Sequence, residues 1–454
     1  MKHIFTKVIA FILITIFISA CNAVKRVPNG KFLLTKNKIF ENNKVISDET
    51  TINQLYQKPN SKIAGISFFL TINNWANPNP DSTFQAKFTN NAKKYERMTK
   101  WLSAKQVERL GKSFWYHGIH DFLKKIGEPP VIYDPAKTDK SILRLKYFYF
   151  NQGYFDVKAK SVFDTIGIKK ARVDYYVEPG IAYTIDTVST EIATVVLDSL
   201  YKKTASNSFV KAGKQYLTED FENEKNRIAT LFRNSGAYNF QPNNISFDID
   251  TIQKKNKASV RLKIGNYTYQ NKDTTITEPF KLYKISDVRI YTDYTATEAK
   301  EIITDSTVFK NFKLLSRNKL KYKPFAITNA VFITKGSFFS DTKTNLTSRY
   351  LSNLKIFNYP SIIYEQDKRD STAQSLIAKI YLTPKPKYHF GQSIDVTHSN
   401  IQNIGISFSP SISVRNVFNG AETLEFSGRG NIGSSRDFAN PNDVFLMQQN
   451  LVWI

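Results

Sequence analysis

Five histidines, one cysteine and a glycine-rich hexapeptide are the residues of this chain whose type and spacing suit chemistry. His117 and His120, in WYHGIH, stand three apart, a spacing that lets two imidazoles share a helix face and hold a metal. Gly118 lies between them and no ligand set surrounds them, so surface or core histidines are the simpler reading. His3, His389 and His398 are isolated. The stretch GRGNIG (Gly428, Gly430, Gly433) fits the dinucleotide fingerprint, which needs a strand before it and a helix after it. Here the glycines continue a strand alternation and a loop-like SSRDFANPND follows, so they read as strand glycines. No G-x-S-x-G elbow of a serine hydrolase occurs. Asp341 and Asp370 read as cap or turn residues, and no acid is paired with a base for catalysis. The expectation is a protein that is not an enzyme and that uses no metal and no cofactor.

Cys21 stands apart. Lys2 and Lys7 flank a short basic start, an apolar run from Val8 to Ile18 follows, and Ser19, Ala20 and Cys21 close it. The run is shorter than the roughly 20 residues that span a bilayer, and it fits a secretory signal. Ile18-Ser19-Ala20-Cys21 resembles the bacterial lipobox, cut before a cysteine that then carries lipid. A lone thiol closes no internal disulfide and builds no structural metal site. Residues 1–20 therefore read as a signal peptide, Cys21 as the lipid attachment site, and the protein as exported. No later run is long and apolar enough for a transmembrane helix.

The elements around these residues carry the rest of the reading. A chain of 454 residues allows about three domains. Apolar residues make up 41% and aromatics 14%, enough for packed cores. The formal charge of +25 can mark a nucleic-acid or anionic-membrane partner. The basic residues are scattered, with no run of five, so a solvated lysine-rich surface is expected and no nucleic acid. Three stretches each run from a helix into a turn. They are Ser141 to Gln152 ending in GYFD, a helix from the N-cap candidate Thr218 ending in NSGAYNF, and a helix from Asp341 with Leu346, Tyr350 and Leu354 on one face. Gly153 and Gly236 stand where a helix closes on a left-handed residue. Lys355 occupies the third such place and implies a different cap. Alternating strands follow: Ala171, Val173, Tyr175, Val177; Ala258, Val260, Leu262, Ile264; Leu376, Ala378, Ile380, Leu382. Tyr183 with Ile185, Tyr283 with Ile285, and Tyr388 with Phe390 mark matching junctions. These recurrences imply α+β modules, helices on a small mixed sheet. The bounds are 21–182 for the first module, 183–270 for the second and 280–387 for the third. The first holds a helix candidate near TINQLYQKPN and a long aromatic insertion at about 68–140, with a helix around Ala104 to Lys125.

Past Tyr388 the texture changes. Tyr388, Phe390, Ile394 and Val396 alternate with small or polar residues, and so do Ile404, Ile406, Phe408, Ile412 and Val414. Asn419-Gly420 is a tight hairpin signal. Leu424, Phe426 and Ile432 continue the pattern, and VFLMQQNLVWI reads as one more strand. Ile404 to Val414 is 11 residues. At about 3.3 Å per residue and a tilt near 45°, its height is roughly 25 Å, the apolar band of an outer-membrane barrel. A half-buried strand of a soluble sandwich alternates alike; the series of such strands behind an export signal favours lipid. Four strands close no barrel, since the smallest have about 8, so residues 388–454 are expected to be the first strands of an incomplete one.

Helix-and-sheet modules feeding a barrel resemble the Omp85 superfamily, whose periplasmic modules are POTRA domains. The residues that carry the resemblance are VPNGKFLLTKNKI (Val27 to Ile39), QKPN (Gln57 to Asn60), GEPPVIYD (Gly127 to Asp134) and GYFD (Gly153 to Asp156). With the lipobox-like start, the chain is similar to the lipoprotein branch of Bacteroidetes (TamL-like), a relative of BamA and TamA. That resemblance implies an outer-membrane protein with POTRA modules in the periplasm, which assembles or translocates unfolded or partly folded clients. Modules capture client strands by β-augmentation, at edges near Tyr183, near Tyr283 and at Tyr238 to Asp250. The strand Tyr388 to Ser399 would be one side of the barrel's gate. A TamB-like periplasm-spanning protein and outer-membrane lipid are the further partners implied. Asn22 and Ala23 carry no acidic export tag, which favours the periplasmic face. The alternatives are a two-partner-type secretion pore and an exported binding lipoprotein without a barrel.

Overall fold

The computed structural model describes residues 23–63, 65–252, 255–295, 303–397, 402–435 and 445–453. Cys21, His3 and His398 lie outside them. The chain divides into two compact units. One holds the chain up to Thr187 with Lys211–Asp220 and Asp250–Ser259; the other holds Val188–Val210, Phe221–Ile249 and the chain from Val260 onward.

In the first unit, β1 (Leu33–Glu41) turns through Asn42 and Asn43, both at positive φ, into β2 (Lys44–Ile46). A short helix, α1 (Glu49–Ile52), is capped by the Asp48 carboxylate. A helical insertion follows: α2 (Phe68–Trp75), α3 (Pro80–Phe84), α4 (Ala92–Thr99), α5 (Ala104–Gly111) and α6 (Ile119–Ile126). Then come α7 (Pro135–Phe150), β3 (Lys158–Thr165) and β4 (Lys170–Glu178). Helix α7 starts where Asp134 accepts from the Ala136 N–H and Pro135 fills the first turn. The sheet order is β2-β1-β4-β3, with β1 parallel to β4. Leu34, Ile39, Val173, Tyr175 and Val177 of the sheet pack on Leu145 and Tyr149 of α7.

The chain continues with β5 (Thr184–Ile192), α8 (Val195–Thr204), α9 (Thr218–Asn234), β6 (Ile245–Asp250) and β7 (Lys257–Ile264), in sheet order β5-β7-β6. A small hairpin, β8 (Tyr267–Asn271) and β9 (Thr274–Glu278), stands apart. In the second unit, Leu197, Ile228, Phe232, Phe240, Leu262 and Ile264 form one core. Next come β10 (Lys284–Tyr291), β11 (Asp305–Phe309), β12 (Phe312–Ser316), α10 (Pro324–Thr328), α11 (Asp341–Asn353), β13 (Ser361–Gln366) and β14 (Ser375–Tyr381). Their sheet runs β11-β12-β10-β14-β13, with β10 parallel to both neighbours. The last sheet is antiparallel: β15 (Tyr388–Thr397), β16 (Gln402–Arg415), β17 (Thr423–Ser435) and β18 (Phe445–Trp453). Among the described residues no helix is long and apolar enough to cross a membrane.

The expected α+β layout followed by an antiparallel run is the one observed. Several details differ, each for a local reason. Most of TINQLYQKPN is not helical, because Gln57 and Asn60 are drawn into hydrogen bonds with the backbone at 129–134. The helix expected over Ala104 to Lys125 breaks in two, since Gly111 abuts the Phe84 ring and a π-turn occupies Phe114–Gly118. Helix α7 begins before Ser141, at its Asp134 cap. Thr218 is the first residue of α9 rather than its cap, and its N–H goes to the Asn151 carbonyl. On α11 the buried row is Thr347 and Leu351, while Tyr350 is 45% exposed against Phe332. Lys355 takes the left-handed conformation itself, at φ 59°, so the third helix closes like the others without a glycine.

Leu351 is fully buried among Ile285, Ile290 and Ala378. Leu351→Ala should cost about 2–5 kcal/mol in that core. Amide hydrogen exchange is the suitable measurement, because a modular chain does not unfold in two states. Protection should fall in peptides of β10 and β14 and stay unchanged in β1 and β4.

Candidate functional site

Three of the four quoted motifs meet in one place. The buried Gln57 amide donates to the Ile132 carbonyl at 2.7 Å and accepts from the Asp134 N–H at 3.0 Å. Asn60, also buried, donates to the Pro129 carbonyl at 2.8 Å and accepts from the Val131 N–H at 3.1 Å. Asn37 of β1 donates to the Gln57 carbonyl. QKPN and GEPPVIYD are thus two halves of one amide network, which closes the base of the helical insertion. Gly127 is needed there, since a Cβ would lie 2.4 Å from the Asn73 backbone nitrogen.

That network positions a backbone clasp that recurs three times. The Leu34 N–H donates to the Val131 carbonyl and the Tyr133 N–H to the Phe32 carbonyl. The Ile185 N–H donates to the Lys214 carbonyl and the Tyr216 N–H to the Tyr183 carbonyl. The Ile285 N–H donates to the Ser337 carbonyl and the Phe339 N–H to the Tyr283 carbonyl. Each time the start of a first strand grips the segment leading into the second helix.

Two of the three clasps also grip the preceding helix end. The Tyr183 N–H donates to the Gly153 carbonyl at 2.9 Å, and the Tyr283 N–H to the Gly236 carbonyl at 2.8 Å. Gly153 has φ +86°, and a Cβ there would lie 2.6 Å from the Tyr216 carbonyl oxygen. An aromatic residue two positions on fills the corner. Phe155 stacks at 4.8 Å from Tyr183 and 5.0 Å from Tyr216. Tyr238 lies 6.0 Å from Tyr283 and 5.0 Å from Phe339. At the second corner Arg233 adds a fork onto Asp341, one bond at 2.8 Å, and donates to the carbonyls of Tyr238 and Phe240. Burial pushes the Tyr283 hydroxyl up, and that of Tyr364 up to about 12. Both rings therefore stay neutral at ordinary pH.

Sheet edges are the second functional feature. Among the described residues β5 has a strand on one side only, whereas β1 is flanked by β2 and β10 by β12. The edge expected near Tyr283 is therefore not one, because the hairpin β11–β12 covers β10. β6, within the expected Tyr238 to Asp250 stretch, is an edge, as are β3 and β13.

The third feature is the last sheet, whose faces are inverted relative to a soluble one. Tyr388, Phe390, Ile394 and Val396 are all exposed, Ile394 by 71% and Val396 by 75%. They register with Val414, Ile412, Phe408 and Ile406 on β16, and Leu424, Phe426 and Ile432 extend the same face on β17. The opposite face carries small and polar residues; Ser407 is only 2% exposed, and Arg429 lies 3.8 Å from Asp395 there. The β16–β17 connection spans Asn416 to Glu422, wider than a two-residue Asn-Gly turn. Asn416, Asn419 and Ala421 take positive φ, so three residues share the reversal. The Lys323 N–H donates to the Asn419 carbonyl and Ala421 enters the β10–β14 core, which fixes this end of the sheet.

The residues read as possible chemistry are accounted for structurally. His117 Nδ1 lies 2.9 Å from Asp121 and its Nε2 lies 3.6 Å from Asp81. His120 accepts from the Asn77 N–H. Among the described residues no group of three or more His, Cys, Asp or Glu is placed to hold a metal. Gly428 and Gly430 lie in β17. Asp370 accepts from the N–H groups of Thr372 and Gln374. Sequence reasoning missed the clasp of the first unit, Phe32 with Tyr133, although Phe32, Tyr183 and Tyr283 share an aromatic signal two residues before Leu34, Ile185 and Ile285.

No family model matches the chain, and no curated protein matches it in sequence. Among solved structures, POTRA domains 3–5 of BamA from Haemophilus influenzae align over 79% of this chain and 99% of that one, at 11% identity and TM-score 0.34. BamA from Haemophilus ducreyi lacking POTRA domains 1–3 aligns over 59% of this chain and 47% of that one, at 9% identity and TM-score 0.32. CdiB from Acinetobacter baumannii aligns over 56% and 39%, at 10% identity and TM-score 0.26. The chain spans less than half the length of the last two. Likeness at this level carries no residue-by-residue correspondence.

The clasp separates two glycines of equal backbone strain. Gly153→Ala adds a collision with the Tyr216 carbonyl, while Gly213→Ala, at φ +84°, meets open space. The second should cost roughly 1–3 kcal/mol through strain alone, and the first more. Limited proteolysis should cut between Asn151 and Thr218 faster in Gly153→Ala than in Gly213→Ala.

Proposed function

We propose that this chain is the periplasmic and barrel-opening part of an outer-membrane assembly or translocation factor of the Omp85 type. It acts by binding and gating, without making or breaking covalent bonds. One observation carries the reading: the last sheet turns its large apolar side chains outward, while Ser407 and Ser413 on its other face are buried. In water such a face would be a liability. In a bilayer it is the lipid-facing side of a barrel wall whose ladder satisfies the backbone.

The clasped segments then act as three POTRA-like modules strung by shared carbonyls, with bounds near 21–182, 183–270 and 280–387. Residues 388–454 open the barrel, and β15, the outermost strand, forms one side of its gate. Unfolded or partly folded clients add a strand to an open edge, where backbone bonds give sequence-tolerant binding. The edge of β5 past Ile185, whose start is held by the 213–216 segment, and the opposite edge at β6 are the places suited to this. Acylation of Cys21 tethers the modules at the outer membrane. The lipobox-like Ile18-Ser19-Ala20-Cys21 supports the lipoprotein branch of Bacteroidetes. A TamB-like periplasmic partner follows from that branch.

Two experiments test this. A photo-crosslinking residue at Thr190 on β5 should capture unfolded outer-membrane client, and one at Arg289 on the covered β10 should not. Equal capture at both positions, or at neither, would count against edge binding. In reconstituted protein, Ile406→Arg should destabilise the sheet by about 2–4 kcal/mol if it sits near the bilayer midplane, and Ser393→Arg, at an exposed position of the polar face, by less. The reverse order would place the polar face outward.

A further inference from the structure

One helix of the insertion half-buries Tyr95 and Met98 and turns its basic face outward. Helix α4 has no buried residue. It carries exposed Lys93, Lys94, Arg97 and Lys100, and Trp101, immediately after it, is 90% exposed. Lys94 and Arg97, three apart on α4, share one face, and Lys100 and Trp101 follow in the turn past its end. Trp115, 76% exposed, belongs to the same insertion. Across residues 68–126 there are ten basic residues against four acidic ones. A helix with no fully buried residue gains little from tertiary packing. Exposed tryptophans interleaved with lysines and arginines are the side chains favoured where a polypeptide lies on an anionic bilayer.

A second observation places a bilayer nearby. The described chain begins pinned to this insertion. Val27, Leu33 and Leu70 of α2 form a buried cluster, with Ala23 and Val24 packed against it. Arg26 donates to Asn73 Oδ1 at 2.9 Å and also to the Ala76 carbonyl. Cys21 precedes Ala23 by two residues, a reach of at most about 7 Å. Resting on the proposed acylation of Cys21, we infer that the insertion is a membrane-docking element: the α4–Trp101 face seats on an anionic phospholipid surface beside the lipid anchor. The tether supplies proximity, and the basic, aromatic face sets how the first unit lies on the membrane.

The test uses the full chain in vesicles, with Trp75, Trp115 and Trp453 replaced by Phe so that Trp101 reports alone. With phosphatidylglycerol present, Trp101 emission should shift to the blue and brominated lipid should quench it. Replacing Lys93, Lys94, Arg97 and Lys100 by Gln, or raising the salt, should reverse both effects, with far-ultraviolet circular dichroism confirming that the helices remain. Trp101 that stays open to iodide in phosphatidylglycerol vesicles overturns the inference, and so does quenching equal in neutral phosphatidylcholine. Trp101 shielded only when another protein is added also overturns it. Mass spectrometry of the same protein reports the acyl chain separately. An acylated protein with Trp101 in water rejects docking and leaves the anchor, whereas quenched Trp101 without an acyl chain rejects the anchor and leaves docking.

Discussion

Every backbone N–H and C=O taken from water must find a partner, and this requirement organises the chain from end to end. A helix finishes with carbonyls that its own turns cannot satisfy. The closing turn satisfies them, with Gly153 and Tyr154 bonding back to Phe150 and Tyr149, and the turn glycines Gly153 and Gly236 give their own carbonyls to Tyr183 and Tyr283, whose carbonyls in turn bind Tyr216 and Phe339. Helix end, strand start and entry to the following helix are thus tied by main-chain bonds, which depend little on side-chain identity. Where side chains matter they fill the corner, as with Phe155 in one place and Tyr238 with Arg233 in the other.

The same requirement decides what the last sheet can be. Its strands pair as consecutive antiparallel neighbours, with one register shift at Gln402/Gly405, so most of the backbone between them is satisfied without water. The apolar side chains face away from the sheltered side, where a soluble sheet would bury them. Satisfied backbone and outward apolar face together are the conditions for a wall in lipid. Where a module sheet has an uncovered edge, as along β5 past Ile185, the condition fails locally.

The period-2 alternations were legible in the sequence because strand faces are set by burial alone. Ala171 to Val177, Ala258 to Ile264 and Leu376 to Leu382 all lie on core faces as expected. Gly153 and Gly236 were legible because left-handed closure favours glycine; Lys355 was not, since a lysine in that conformation leaves no compositional trace. The first clasp was hidden by distance: Phe32 and Tyr133 are brought together only after a helical insertion folds between them. The cover on β10 was missed because β11 and β12 are short and unpatterned. Gln57 and Asn60 fell in a helix candidate, yet they are buried outside any helix, a fact that only their backbone partners explain. The exposed row at Trp101 is a property of what fails to pack, which periodicity cannot register.

The most direct measurement is the solvent around successive positions of β16. A nitroxide at each site from Gly405 to Val414, in protein reconstituted into vesicles, reports collision with oxygen dissolved in lipid and with a nickel chelate dissolved in water. Oxygen contact should peak at Ile406, Phe408, Ile412 and Val414, and chelate contact at Ser409 and Ser411, the less buried positions of the other face. Uniform contact with the chelate along the strand, or the opposite phase, would contradict a lipid-facing wall.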